Sequence, residues 1–72
     1  MRENAGFQII ASVPLEQKAE VVIGKMKTPS FEQYVCWYCN NGDDYFFGRY
    51  TDTYDKAVQN MIERLNEYFL GE

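Results

Sequence analysis

The chain predicts an α+β fold, a four-stranded antiparallel sheet in sequential order with one C-terminal helix packed on one face. Three observations carry that expectation. Apolar residues recur at spacings of three and four near the C-terminus, the apolar runs before them are short and rich in β-branched and aromatic residues, and an Asn-Gly pair separates two of those runs. A length of 72 residues leaves room for one small domain.

The helix is placed at residues 53–70. Tyr54, Ala57, Val58, Met61, Leu65, Tyr68 and Phe69 fall on one face, which Ile62 widens, while Asp55, Lys56, Gln59, Asn60, Glu63, Asn66 and Glu67 take the other. Asp52 or Thr53 can accept the first-turn backbone N–H groups that lack a partner inside the helix, and Gly71 marks its end.

The strands are placed at residues 7–13, 20–25, 33–39 and 44–50. The first is expected to stop at Pro14, the second is built on Val21, Val22 and Ile23, and residues 13–17 and 26–30 read as loops. The third and fourth flank Asn40-Asn41-Gly42-Asp43, a strong signal for a β-hairpin. Its register stays open. A two-residue loop puts Val35, Trp37 and Cys39 on one face with Phe46 and Gly48, and Tyr34, Cys36 and Tyr38 on the other with Tyr45, Phe47 and Arg49. A three-residue loop containing Asp43 puts Val35, Trp37 and Cys39 with Tyr45 and Phe47 instead. Both faces carry large rings either way, and one helix covers only one face. The other face is left to self-association, or to the chain's own loops and N-terminal segment. Gly48, inside a strand, marks a bulge or a close approach to a ring or to the helix.

Composition narrows the function classes. Seven Lys plus Arg against eleven Asp plus Glu give a net charge of -4, which opposes adhesion to phosphate backbones and anionic lipid, so neither nucleic acid nor a membrane is the expected partner. Asp43, Asp44, Asp52 and Asp55 form the only local acidic concentration, and aromatics and Arg49 interrupt it. The N-terminal apolar stretch is too short for a secretory core, no run approaches the roughly 20 residues of a membrane span, and a cytoplasmic location is expected.

Cys36-Trp37-Tyr38-Cys39 is a C-x-x-C placed in a strand. Residues three apart there point to opposite faces with Cα atoms roughly 10 Å apart, too far for a disulfide, which needs less than about 7 Å. With two cysteines and no histidine, a zinc site would need a second copy, so the thiols read as small apolar residues and no metal or cofactor is implied. No carboxylate, lysine, tyrosine or thiol stands at a spacing that argues for catalytic activation, Asp43-Asp44 reads as turn chemistry, and Gly24, Gly42 and Gly48 are too isolated for a phosphate loop. Tyr34, Tyr38, Tyr45, Phe47 and Arg49 are the candidate interaction surface. A base-stacking platform would be ringed by Lys and Arg, so a protein partner or a second copy suits these residues better.

The strings Glu3-Asn4-Ala5-Gly6-Phe7, Glu20-Val21-Val22-Ile23-Gly24, Tyr34-Val35-Cys36-Trp37-Tyr38-Cys39 and Tyr45-Phe46-Phe47-Gly48-Arg49-Tyr50, followed by a helix with Ala57 and Arg64, resemble a family. It is that of small uncharacterised proteins and domains encoded on conjugative and other mobile elements of gut Firmicutes. The likeness runs from residue 3 to residue 65, and the aromatic hairpin is its most specific part. The family often has Thr where this chain has Cys36 and His where it has Arg49, which weakens C-x-x-C chemistry and any shared role for Arg49. The resemblance implies a genomic setting and no assigned reaction. The expectation is a non-enzymatic accessory or protein-interaction module, with a homodimer as one form. The alternative is an acidic DNA mimic that inhibits a host restriction or CRISPR nuclease.

Overall fold

The computed structural model describes residues 2–26 and 32–71. Five strands, β1 (Glu3–Asn4), β2 (Phe7–Glu16), β3 (Ala19–Met26), β4 (Tyr34–Asn40) and β5 (Asp44–Thr51), precede one helix, α1 (Tyr54–Leu70). The strands form one antiparallel meander in the order β1-β2-β3-β4-β5. The α+β architecture is as expected, with one strand more than the four read from the sequence. The addition is β1, whose hairpin to β2 turns at Ala5 and Gly6, both at positive φ (53° and 86°). That is the handedness a two-residue hairpin turn requires.

The first long strand does not stop at Pro14. It runs on to Glu16, with Pro14 opposite Glu20, so residues 13–16 are strand rather than loop. Proline is tolerated because β1 pairs only with Phe7 and Gln8, which leaves the outer edge of β2 without a ladder at Pro14. Of the loop expected at 26–30, Met26 is the last residue of β3 and the rest lies outside the described residues.

Between β4 and β5 the loop has three residues. Asn40 pairs with Asp44, Asn41 and Gly42 take positive φ (58° and 77°), and the Asp43 N–H donates to the Asn40 carbonyl at 3.2 Å. Cys39 therefore faces Tyr45, as that register requires. Phe47, however, does not join Trp37. Between the pairs Tyr38–Phe46 and Cys36–Arg49, Phe47 and Gly48 stand opposite Trp37 alone, so a β-bulge shifts the register there.

The helix is capped as its ends suggest. The Thr53 hydroxyl accepts from the Lys56 N–H at 3.2 Å, and Gly71, left-handed at φ 75°, returns its N–H to the Glu67 carbonyl. Asp52 takes the Lys56 ammonium instead, at 3.1 Å. The helix packs its Ala57 and Met61 face on Val21, Ile23, Tyr34 and Cys36. Among the described residues no helix is long and apolar enough to cross a membrane.

The second face is covered by the chain itself. Phe7, Val22, Val35, Trp37 and Cys39 are buried there, with Ile9, Met26 and Tyr45 around them. In a flat sheet β2 and β5 would lie about 14 Å apart, three strand spacings, yet the rings of Phe7 and Tyr50 are 5.8 Å apart and both contact Trp37 edge-on. Only a sheet curled toward this side brings them together. Two glycines make room for the curl. A Cβ on Gly24 would come within 3.1 Å of Phe7 and 3.2 Å of Trp37, and one on Gly48 within 2.7 Å of Trp37 Nε1. The bulge and the ring contact expected at Gly48 are thus both present. The Arg2 guanidinium closes the rim, donating to both Glu20 carboxylate oxygens at 3.2 and 2.8 Å and to the Tyr45 hydroxyl at 3.3 Å. The chain's own N-terminal segment covers most of this face, as the second of the two expectations has it, with Tyr50 left half exposed at its margin.

Candidate interaction surface

The bulge gathers the groups with the most unusual environments. Phe47 has φ 57°, a conformation in which a bulky side chain is a strained outlier worth roughly 1–3 kcal/mol. Its neighbour Gly48 would adopt it freely, so the strain falls on the residue that presents a ring, and that ring is 71% exposed. Phe47 leans toward the helix side, edge-on to Tyr38 and Phe46, with centroids at 6.2 and 5.1 Å. Tyr38 and Phe46 stack at 5.9 Å, so the three rings make one cluster.

Arg64 holds this conformation from the helix. It is buried, donates from Nη1 to the Cys36 carbonyl at 2.7 Å and from Nη2 to the Phe47 carbonyl, and lies over the Tyr38 ring at 4.8 Å. Those carbonyls belong to strands on either side of the bulge, where the ladder is interrupted. Arg64 therefore replaces ladder bonds and fixes the backbone that aims Phe47 outward. Arg49, one residue past Gly48, reaches the helix too and pairs with Glu63 at 3.2 Å, both side chains largely in water. Between β5 and α1 these residues leave an open cleft of about 400 Å³, lined by Tyr38, Phe47, Gly48, Arg49, Arg64 and Glu67.

The residues chosen from sequence divide across the fold. Tyr38, Phe47 and Arg49 meet at this cleft. Tyr34 is buried under the start of the helix, its ring 5.8 Å from Tyr54. Tyr45 lies on the second face, against Trp37 at 5.4 Å and beneath the Arg2 guanidinium. The five do not share one face, because the bulge turns Phe47 away from Tyr45 and the helix covers Tyr34. The amphipathic reading of the helix places Arg64 on neither face. Its spacing of three from Met61 and seven from Ala57 places it on the buried stripe, a signal its charge obscures.

More apolar surface lies on the helix that ends beside this cleft. Ile62, Tyr68, Phe69 and Leu70 are 40 to 69% exposed, and the Tyr68 hydroxyl bonds the Glu16 carboxylate at the end of β2. The two thiols are apart, as the strand reading requires: Cys36 packs under the helix and Cys39 belongs to the second face. Burial pushes the Cys36 thiol above its ordinary pKa, and burial together with the Glu20 charge does the same at Cys39, so both are poor thiolates at neutral pH. Among the described residues no group of three or more His, Cys, Asp or Glu is placed to hold a metal ion. Comparison with protein-family models, with curated proteins and with solved structures finds nothing that matches this chain.

Proposed function

We propose that the protein is a non-enzymatic interaction module that docks on a partner protein through Phe47 and the aromatic cluster behind it. One observation carries the reading: the chain holds a phenylalanine in a strained left-handed conformation, with a glycine beside it, and directs its ring into water. Strain kept at an exposed aromatic is a signature of a functional position, and buried contact cores are enriched in aromatics with arginine near them. Arg64 and Arg49 supply rigidity rather than reactivity, since two carbonyls engage the first and Glu63 the second. The resemblance of the hairpin strings supports a setting on a mobile element, in the cytoplasm of its host.

A DNA mimic would need free carboxylates in rows. A net charge of -4 over 72 residues is thin for such rows, and Glu20, Glu63 and Asp52 are in addition each tied to a cation of this chain, so the interaction reading is preferred. The test compares the wild type with Phe47→Gly, which removes the ring and relieves the backbone. Stability should be unchanged or slightly greater. Proteins retained from a host-cell lysate by the immobilised wild type should fall by more than about tenfold in yield with the variant. Equal retention by both, or none by either, would overturn the proposal.

A further inference from the structure

Resting on the Phe47 docking reading, we infer that the cleft between β5 and α1 receives a carboxylate, that of an aspartate or glutamate next to an apolar residue in a segment of the partner protein. A guanidinium has five N–H donors, and Arg64 uses two of them, one from each terminal nitrogen, on the Cys36 and Phe47 carbonyls. Its charge pairs with no carboxylate among the described residues, although only 4% of the residue is exposed. Nε makes no hydrogen bond, and no buried side-chain nitrogen or oxygen among the described residues lacks one, so Nε reaches solvent. The opening is the cleft, which Arg64 lines. A cation drawn out of water without a counter-charge is costly. An anion at its unused donors offsets that cost through charge-assisted hydrogen bonds, in surroundings that screen the attraction less than bulk water does.

The rest of the lining selects the occupant. Arg49 borders the same cleft and is held only by Glu63, an exposed pair of little strength that it can leave for a new carboxylate. Phe47 and Tyr38 offer ring surface beside the two guanidiniums, so the anion arrives with an apolar neighbour. Glu67 also lines the cleft, and it is exposed and without an ion pair. Its charge is screened by water, whereas that of Arg64 is sheltered, so a single negative charge gains more than it loses. A phosphate dianion meets twice the repulsion from Glu67 and from the net charge of -4. A cationic side chain would gain Glu67 at the rim and stand against Arg64 and Arg49. Because the cleft is open, a chain can run past it in both directions, which suits a side-chain carboxylate rather than a chain end.

The test is a titration of the full, nitrogen-15-labelled chain with the capped dipeptide acetyl-Leu-Glu-amide, followed by NMR. The backbone amides of Phe47, Gly48 and Arg49 and the Nε–H of Arg64 should shift and saturate with a Kd of about 10 mM or tighter. Acetyl-Leu-Gln-amide, acetyl-Leu-Lys-amide and acetyl-Gln-Leu with a free terminal carboxylate should each bind more weakly. Glu67→Gln should tighten binding of the glutamate peptide about two- to fivefold and Arg49→Gln should weaken it as much, with the melting temperature retained because both side chains are exposed. No saturation, equal binding of the glutamine peptide, a preference for the lysine peptide or the chain end, or a Glu67→Gln variant that binds more weakly would each overturn the inference. If retention from lysate depends on Phe47 while the glutamate peptide is not preferred, the carboxylate fails and the docking reading stands. If the peptide binds and retention does not depend on Phe47, it is the docking reading that fails.

Discussion

Arg64→Ala should be among the most damaging single substitutions in the helix, although it removes a charge from the interior. The wild-type side chain is buried, donates to the carbonyls of Cys36 and Phe47, and covers the Tyr38 ring. Hydrogen bonds from a charged donor contribute roughly 1.5–3 kcal/mol each, and a carbonyl left unpaired in the interior costs about 1–3 kcal/mol. The stacking on Tyr38 adds about 0.5–2 kcal/mol. Against these stands the desolvation of a guanidinium that pairs with no carboxylate among the described residues, several kcal/mol that the variant recovers. The balance is a loss of about 3 kcal/mol, a large share of the roughly 4–10 kcal/mol that 72 residues provide. In thermal unfolding followed by circular dichroism this is a fall of about 12–24 °C. Arg64→Lys, which keeps the charge but cannot bridge two carbonyls, should lie between. Arg64→Met separates the opposing effects, because it fills the space without charge or donor. If Arg64→Met matches or exceeds the wild type, or Arg64→Ala falls within about 0.5 kcal/mol of it, then desolvation outweighs the two bonds and Arg64 does not secure the bulge.

Two further outcomes test the second face. Gly48→Ala needs room 2.7 Å from Trp37 Nε1 and 3.0 Å from Cδ1, atoms of a buried ring, and should cost about 1–3 kcal/mol. Trp37 is the only tryptophan, so its fluorescence should shift to the red, and unchanged emission at full stability would show that the ring moves without penalty. The Glu20 carboxyl is held below its ordinary value of 4.5, first by the Arg2 guanidinium and then by the Ser12 hydroxyl. Its folded pKa lies below the unfolded one, so its stabilisation is full at neutral pH and is lost as the pH falls from about 4.5 through the folded value. Glu20→Gln should therefore be less stable at pH 7 and converge with the wild type in acid. Stability curves that stay parallel between the two would contradict a stabilising Arg2–Glu20 pair.

Much of the fold can be read from local chemistry. The helix and both its caps are visible in the sequence because an amphipathic period, Thr53 and Gly71 act within a few residues of one another. The Asn-Gly pair fixes the hairpin, though not its loop length, which turns on whether Asp43 joins the loop or the strand. Pro14 misleads because its effect depends on whether a neighbour needs its missing N–H, and at that point the outer edge of β2 has no paired strand. The bulge is legible only in part. Gly48 signals a special backbone, but the left-handed residue is Phe47, and no local rule prefers phenylalanine there. Arg64 is legible by position and hidden by type, since its partners are carbonyls 28 and 17 residues before it in sequence, on two neighbouring strands.

The larger lesson concerns how a small sheet covers two apolar faces with one helix. Counting faces treats the sheet as flat, and on a flat sheet Phe7, Trp37, Tyr45 and Tyr50 would need an outside cover. Curling makes one face concave, and a concave face shelters its own rings where glycines such as Gly24 and Gly48 leave space beneath them. The same curl sets the limit of the helix, which spans three of the five strands and leaves β2 half-covered along Ile62 and Phe69. Apolar area absorbed on the concave side thus reappears on the convex side, beside the helix and at the bulge. Because Gly48 stands in the bulge beside Phe47 and against Trp37, Gly48→Ala should disturb both the sheltered ring and the exposed one, and a red shift of Trp37 without any change at the Phe47 cleft would show that the two sides of the bulge move independently.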